Sequence, residues 1–198
     1  MFFLNDRIIA RVVKTVNAFF IMDISPLYNQ EVFDYYYNIS PKQRKEKSDK
    51  LKLNEDKARS IGAYALLRFA VGDHTEYDLD KLEILTDKNG KPFVKDNPFY
   101  FSISHSGKYA VCALSDSPVG IDIELEKEFS PKFKDRFAEN TLEWTKKEAK
   151  GKLTGNGFFD KTPDSFVYTH KKTDGYIITV CSDKPFKDFY TYHLPFPT

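Results

Sequence analysis

The chain has 198 residues, enough for one full domain or two small halves. Its composition, 41% hydrophobic and 30% charged, is that of a folded globular protein. A formal net charge of +1 creates no overall field toward nucleic acid or an anionic membrane, so an anionic ligand has to be met by local clusters. Cys112 and Cys181 lie in apolar runs with no C-x-x-C spacing, which fits a reduced, cytoplasmic compartment.

No targeting segment is visible, because Phe2-Phe3-Leu4 gives way at once to Asn5-Asp6-Arg7, and no window approaches the roughly 20 apolar residues of a membrane span. The 18 Phe and 12 Tyr point to a bulky core rich in strands. Residues 1–17 read either as a short strand or as a helical turn with Ile8, Ile9, Val12 and Val13 inward. Ala18 to Ile24 reads as a buried strand, and Gln30 to Tyr37 has helical spacing. Ser40-Pro41 reads as an N-cap with proline at the first helical position. A cationic run follows, Lys42, Arg44, Lys45, Lys47, Lys50 and Lys52. Asn54 is read as the cap of a helix from Glu55 to Val71, with Arg59 near its start. This run is either a solvated face, with Glu55 and Arg59 as an i,i+4 pair, or an anion site beside a helix N-terminus.

Leu82 to Thr86 and Lys91 to Val94 form a hairpin through Asn89-Gly90. From Tyr100 the chain reads as three short strands: Phe101 to Ile103, Tyr109 to Leu114, and Gly120 to Leu125, with turns at Ser106-Gly107 and Ser115-Asp116-Ser117-Pro118. Period two puts Ile121, Ile123 and Leu125 on one face of the third strand and Asp122 and Glu124 on the other, about 7 Å apart. Two such carboxylates repel unless a cation lies between them, and Mg²⁺ suits that geometry; a solvated acidic edge is the plainer reading. Phe129 to Glu143 reads as one amphipathic helix. A second helical stretch runs from Glu143 to Lys152, with Glu148 and Lys152 four apart on one face, and Thr154-Gly155-Asn156-Gly157 ends it. Ser165 to His170 and Tyr176 to Cys181 form a hairpin, and Phe189 to Leu194 is a final strand. The Ser115-Asp116-Ser117-Pro118 turn six residues after Tyr109 is echoed by Ser182-Asp183-Lys184-Pro185 six residues after Tyr176, each hairpin carrying a histidine (His105, His170). The echo suggests two related halves.

Two segments together carry a resemblance: V-G-I-D at Val119 to Asp122, extended by Glu124, and W-T-K-K-E-A-K-G-K at Trp144 to Lys152. They resemble the two-part signature of the 4′-phosphopantetheinyl transferases. Gly90-Lys91-Pro92, the Ile103-Ser104-His105-Ser106-Gly107 segment and the basic stretch ending at Arg59 stand upstream in the same order. The match is nearest to the surfactin-synthetase-activating type. It implies an α+β fold of two similar halves in a pseudo-two-fold arrangement, residues 1–115 and 116–198, with the site in the cleft between them.

The implied activity is Mg²⁺-dependent transfer of phosphopantetheine from coenzyme A to a serine of an acyl or peptidyl carrier protein, by a monomer, with release of adenosine 3′,5′-bisphosphate. A silent coenzyme A-binding module is the alternative. The resemblance assigns Asp122, Glu124 and Glu148 to the metal and Lys152 and Lys147 to the phosphates. Ser104 and His105 are assigned to coenzyme A, Arg44, Lys47 and Arg59 to its 3′-phosphate, and Lys91 and Pro92 to the adenine side. Glu148 or a metal-bound hydroxide would take the serine proton. The segment from Asp122 to Trp144 is shorter than is usual for the family. Docking of an acidic carrier is therefore expected to fall to Lys132, Lys134, Arg136, Lys146 and Lys150, with Phe133 and Phe137 in the core. Gly151 within the second helix is expected to cost up to about 1 kcal/mol.

Overall fold

An apolar strand with large side chains on both faces has to be covered on both faces, and the strand β1 (Ala18–Asp23) is covered so. In the computed structural model, which describes residues 16–157 and 165–195, β1 lies inside a sheet of order β4-β5-β1-β9, formed with β4 (Tyr100–Ser106), β5 (Tyr109–Ser115) and β9 (Asp188–His193). Phe20 and Met22, with Cys112 and Leu114 of β5, pack against Ile61, Leu66 and Leu67 of the long helix α3. Phe19 and Ile21, with Val111 and Ala113, turn the other way. There they meet Ile121, Ile123, Ile178 and Val180 of a second sheet, order β6-β8-β7. Its strands are β6 (Gly120–Leu125), β7 (Val167–Thr173) and β8 (Tyr176–Ser182).

The helices α1 (Gln30–Asn38), α2 (Lys42–Asp49) and α3 (Asn54–His74) belong to the first sheet's side. A short antiparallel pair, β2 (Ile84–Thr86) and β3 (Pro92–Val94), follows them. The helix α4 (Pro131–Arg136) and the helix α5 (Thr141–Thr154) lie in the second half, where α5 packs on β6 and β8. The layers run helix, sheet, sheet, helix: an α+β fold with one core on each face of the first sheet.

Most of the expected elements are present. Asn89-Gly90 makes the β2–β3 turn, with Gly90 at φ 88° and Asp87 Oδ1 accepting from the amides of Asn89 and Lys91. The β4–β5 and β7–β8 hairpins each pair seven residues, so the echo lies in real hairpins, but its histidines are not equivalent. His105 pairs with Ala110 next to the turn, whereas His170 pairs with Thr179 three pairs from it.

Three local expectations are corrected. Ser40 does not cap α2: its hydroxyl donates back to the Tyr36 carbonyl, and Pro41 is the cap residue. Asn54 is the first residue of α3 rather than its cap, Leu53 standing before it without a side-chain acceptor. Phe129 to Glu143 is not one helix. Ser130 caps α4, the backbone departs from helical angles at Phe137, and Asn140 then caps α5 by accepting from the Glu143 amide at 3.0 Å. The readings of residues 1–15 fall outside the described residues.

Candidate active site

The close packing of α5 on β6 begins with a missing side chain. A Cβ on Gly120 would stand 1.9 Å from the Ala149 carbonyl oxygen and 2.6 Å from the Leu153 nitrogen. Only glycine lets the helix cross there, and the crossing brings Glu148 and Lys152 over Asp122. Gly151 has a similar reason: a Cβ would lie 2.3 Å from the Gly157 carbonyl group, whose amide donates to the Gly151 oxygen. The glycine that costs helix propensity lets the following loop fold back onto α5.

Three serines two apart on β4 stitch it to β6. The Ser102 hydroxyl accepts from the Ile121 amide, Ser104 donates to Asp122 Oδ1 at 2.9 Å, and Ser106 donates to Glu124 at 3.4 Å. Asp122 is 3% exposed. Its Oδ1 also takes the Lys152 ammonium at 2.7 Å, and the same ammonium donates to Ser104. Its other oxygen, Oδ2, is buried without a partner.

Glu124 and Glu148 complete an acidic group. Burial and then the Asp122 charge raise Glu124 above the ordinary carboxylate range, partly offset by Lys127 and by hydrogen bonds from Trp144 and Ser106. Burial and Asp122 raise Glu148 likewise, with Lys152 pulling the other way. Among the described residues no three His, Cys, Asp or Glu side chains are drawn together closely enough to hold a metal ion as they stand. The ammonium of Lys152 neutralises Asp122 instead.

A raised carboxylate has a consequence for stability. Between its ordinary pKa and its raised folded value the native state binds the extra proton, so its contribution falls as pH rises through that window and stays low above it. Glu148→Gln is therefore expected to melt higher than the parent at pH 7, with the difference shrinking toward zero near pH 4.5, the unperturbed value. Thermal melts of both proteins across that range check it; a difference independent of pH would count against the acidic cluster.

A cavity of about 270 Å³ opens from this cluster, lined among others by Lys47, Lys91, Pro92, Ile103, Glu148 and Lys152. A neighbouring groove of about 520 Å³ shares Lys47, Gly90 and Pro92 with it and adds Arg44 and Tyr64. Arg44 lies over the Tyr64 ring at 5.2 Å. Loss of hydration lowers Arg44, and also Lys47, which Arg44 depresses further. Lys91 reaches α5, donating to the Leu153 carbonyl at 2.9 Å, and is lowered by desolvation. His105 on β4 is pushed down to about 4, first by lost hydration and then by the Lys152, Arg59 and Lys47 charges. Its ring is still open to solvent, so the cations are the firmer cause. An imidazole facing these three cations lies in a positive field that favours an anion.

Thus Arg44, Lys47, Lys91, Pro92, Ser104, Asp122, Glu124, Glu148 and Lys152 come together, with His105 beside them. Lys147 and Arg59 line neither cavity. Lys147 is exposed and donates to the Phe137 carbonyl. Arg59 is ion-paired to Asp56 and, at 3.6 Å, to Glu55, the plainer of its two sequence readings. Sequence reasoning missed Ser102, Tyr64 and the Trp144 bond to Glu124; only the serine alternation on β4 could have signalled one of them.

An acid cluster lies beneath a cation-lined groove, on two sheets joined face to face, an arrangement that suits a polyanion. The comparisons point to one family. A family model described as "4'-phosphopantetheinyl transferase, N-terminal" matches residues 26–117. The chain is 34% identical over 117 residues to 4'-phosphopantetheinyl transferase Sfp of Bacillus subtilis (strain 168), covering 59% of this chain and 52% of that one. It is 27% identical over 183 residues to psf-1 of Bacillus pumilus, covering 72% and 78%, and 44% identical over 78 residues to gsp of Aneurinibacillus migulanus, covering 38% and 32%. Both of these are also named 4'-phosphopantetheinyl transferases. The chain thus resembles the 4′-phosphopantetheinyl transferases, Sfp among them. The match spans about half the length of the Sfp relative.

Proposed function

We propose that the protein transfers the 4′-phosphopantetheine group of coenzyme A to a serine hydroxyl of an acyl or peptidyl carrier protein. The observation that carries this reading is the buried Asp122, its Oδ2 unpartnered, grouped with Glu124 and Glu148 at the mouth of a cation-lined groove. Coenzyme A carries negative charge at its pyrophosphate and at its 3′-phosphate, and the two grooves are lined by Lys47, Lys91, Lys152 and Arg44. In this reading Lys152, Lys91 and Lys47 meet the pyrophosphate as point charges, and Arg44 takes the 3′-phosphate. Pro92 and Tyr64 supply flat apolar contact for the base.

The unpartnered Oδ2 and the mutual repulsion of the carboxylates fit a divalent cation, with Asp122, Glu124 and Glu148 as its protein ligands. Mg²⁺ bound there would neutralise charge building on the pyrophosphate. The chain's own residues do the rest. Lys152, partly exposed beside Asp122, would meet a phosphate oxygen. The serine oxygen attacks the phosphorus that carries pantetheine, and the bond to the bridging oxygen breaks, so that adenosine 3′,5′-bisphosphate leaves. In this reading Glu148 would accept the serine proton.

The two-halved reading, residues 1–115 and 116–198 about a pseudo-two-fold with the site in the cleft between them, belongs to the same proposal. It draws support from the paired hairpins and from a site built across β4, β6 and α5. Carrier docking falls to the cations of α4 and α5. Among the described residues no helix is long and apolar enough to cross a membrane, and we place the protein in the cytoplasm as a monomer.

Intact-mass analysis of candidate carriers after incubation with coenzyme A and Mg²⁺ tests the function. A gain of one phosphopantetheine supports it. Coenzyme A protection of the thermal transition without modification of any carrier would leave only a silent binding module.

The cations can be separated by ligand. Arg44→Glu is expected to raise the Michaelis constant for coenzyme A about 10-fold more than that for dephospho-coenzyme A, which lacks the 3′-phosphate; this corresponds to about 1.4 kcal/mol. Arg59→Glu, its native charge already paired with Asp56 and Glu55, is expected to affect both ligands equally. The reverse pattern would move the 3′-phosphate site to Arg59.

A further inference from the structure

Beneath α5, beside the acid cluster, runs a line of polar groups with no part in the chemistry above. Thr145 on α5 and Thr179 on β8 are both fully buried, at a place where valine or alanine would pack as well. Their hydroxyls are 2.7 Å apart, Thr145 also donates to the Leu142 carbonyl at 2.9 Å, and His170 Nδ1 lies 3.0 Å from the Thr179 hydroxyl. These contacts have only one consistent direction. The single Thr145 proton is committed to Leu142, so Thr179 donates to Thr145, and the Thr179 oxygen accepts from His170 Nδ1–H. The resulting chain crosses from β7 through β8 to α5.

Its place in the register gives it a purpose. Thr179 is the direct neighbour of Asp122 on one side and of His170 on the other, so all three share the sheet face that α5 covers. Thr145 is three residues before Glu148 and four before Ala149, one turn along the same helix face. The helix is therefore held at two points flanking Asp122: a steric contact of Ala149 over Gly120 and a polar link from Thr145 to Thr179. Apolar packing alone tolerates sliding, whereas a hydrogen bond between buried groups is costly to leave unmade. We infer that Thr179 and Thr145 are positioning residues whose hydroxyl link sets how Glu148 and Lys152 stand over Asp122.

This rests on the transferase reading, and the test separates the two. The sequence has a single tryptophan, Trp144, next to Thr145 and hydrogen-bonded to Glu124, so its emission reports the seating of α5 independently of turnover. Thr179→Val, isosteric but without the hydroxyl, is expected to shift that emission. It should lower kcat about 10-fold or more while KM for coenzyme A stays within about threefold, since a misplacement near 1 Å can cost about 100-fold in rate. Thr179→Ser should restore both readouts. A Thr179→Val protein with parent emission and kcat would overturn the inference, as would a Thr179→Ser protein as impaired as the valine variant. Should Thr179→Val not fold, Thr145→Val and Thr145→Ser have the same two outcomes. A parent protein without transfer would sink the functional reading alone, with Trp144 emission still deciding whether the link seats the helix.

Discussion

Gly120→Ala is expected to be the most damaging single-methyl change in the protein. The new Cβ would meet the Ala149 oxygen at 1.9 Å and the Leu153 nitrogen at 2.6 Å, both backbone atoms of α5 with no rotamer to escape into. The helix has to lift from β6. Overpacking of this kind costs about 1–3 kcal/mol and at times more, and for a chain of this length about 3 kcal/mol lowers the melting temperature by about 6–12 °C. The larger effect is on transfer, because Glu148 and Lys152 ride on the displaced helix; a rate loss of about 100-fold is expected. Gly72→Ala supplies the contrast. Its Cβ would have nothing within 4 Å, and on α3 it should leave the rate unchanged and raise stability by up to about 1 kcal/mol. Thermal melts and initial rates of the two variants, run side by side, decide the matter. A Gly120→Ala protein with the parent's rate would mean that α5 does not hold the catalytic groups.

Asp122→Asn should separate activity from folding. Two effects on stability oppose each other. Loss of the charge relieves repulsion with Glu124 and Glu148, while Lys152 loses its 2.7 Å partner. Breaking a fully buried ion pair costs about 3–5 kcal/mol. Lys152, however, is 30% exposed and has Glu148 within electrostatic reach, so no isolated buried charge is left behind. The asparagine oxygen can still accept from Ser104. Little net change in melting temperature is therefore expected. Transfer should fall by at least about 100-fold, because even an outer partner of a metal ligand costs about 10–100-fold when removed. Unfolding of the variant, or a parent-like rate, would remove Asp122 from the centre of the proposed site.

Much of the site could be read from one dimension because its chemistry is carried by periodicity. Asp122 and Glu124 share a strand face at period two, and Glu148 and Lys152 share a helix face at i,i+4; both patterns survive folding unchanged. The strands and hairpins follow for the same local reason, with Asn89-Gly90 in the β2–β3 turn and Gly107, one residue past the end of β4, in the β4–β5 turn. Helix ends were read less well. Ser40 and Asn54 are cap-forming types that do not cap here, because the Ser40 hydroxyl goes to Tyr36 and the chain enters α3 one residue early. The break between α4 and α5 was legible in Ser130-Pro131 and in Asn140 followed by Glu143, but the Phe133–Phe137 spacing masked it.

By itself the sequence determined which residue types carry charge, which faces of β6 and α5 present them, and, through its two signature segments, a family resemblance. These are local properties, set by side-chain chemistry and backbone period. Tertiary structure alone decided which of the many cations line the two grooves. Arg44 and Lys47 line them, Arg59 is already neutralised by Asp56, and Lys147 points to the Phe137 carbonyl. It also decided that β9 returns to pair in parallel with β1, and that Ser104, remote in sequence from both partners, joins Asp122 to Lys152. The reason is the same throughout. A charge acts through its distance to other charges and its access to water, and both are fixed only when β4, β6 and α5 have packed together.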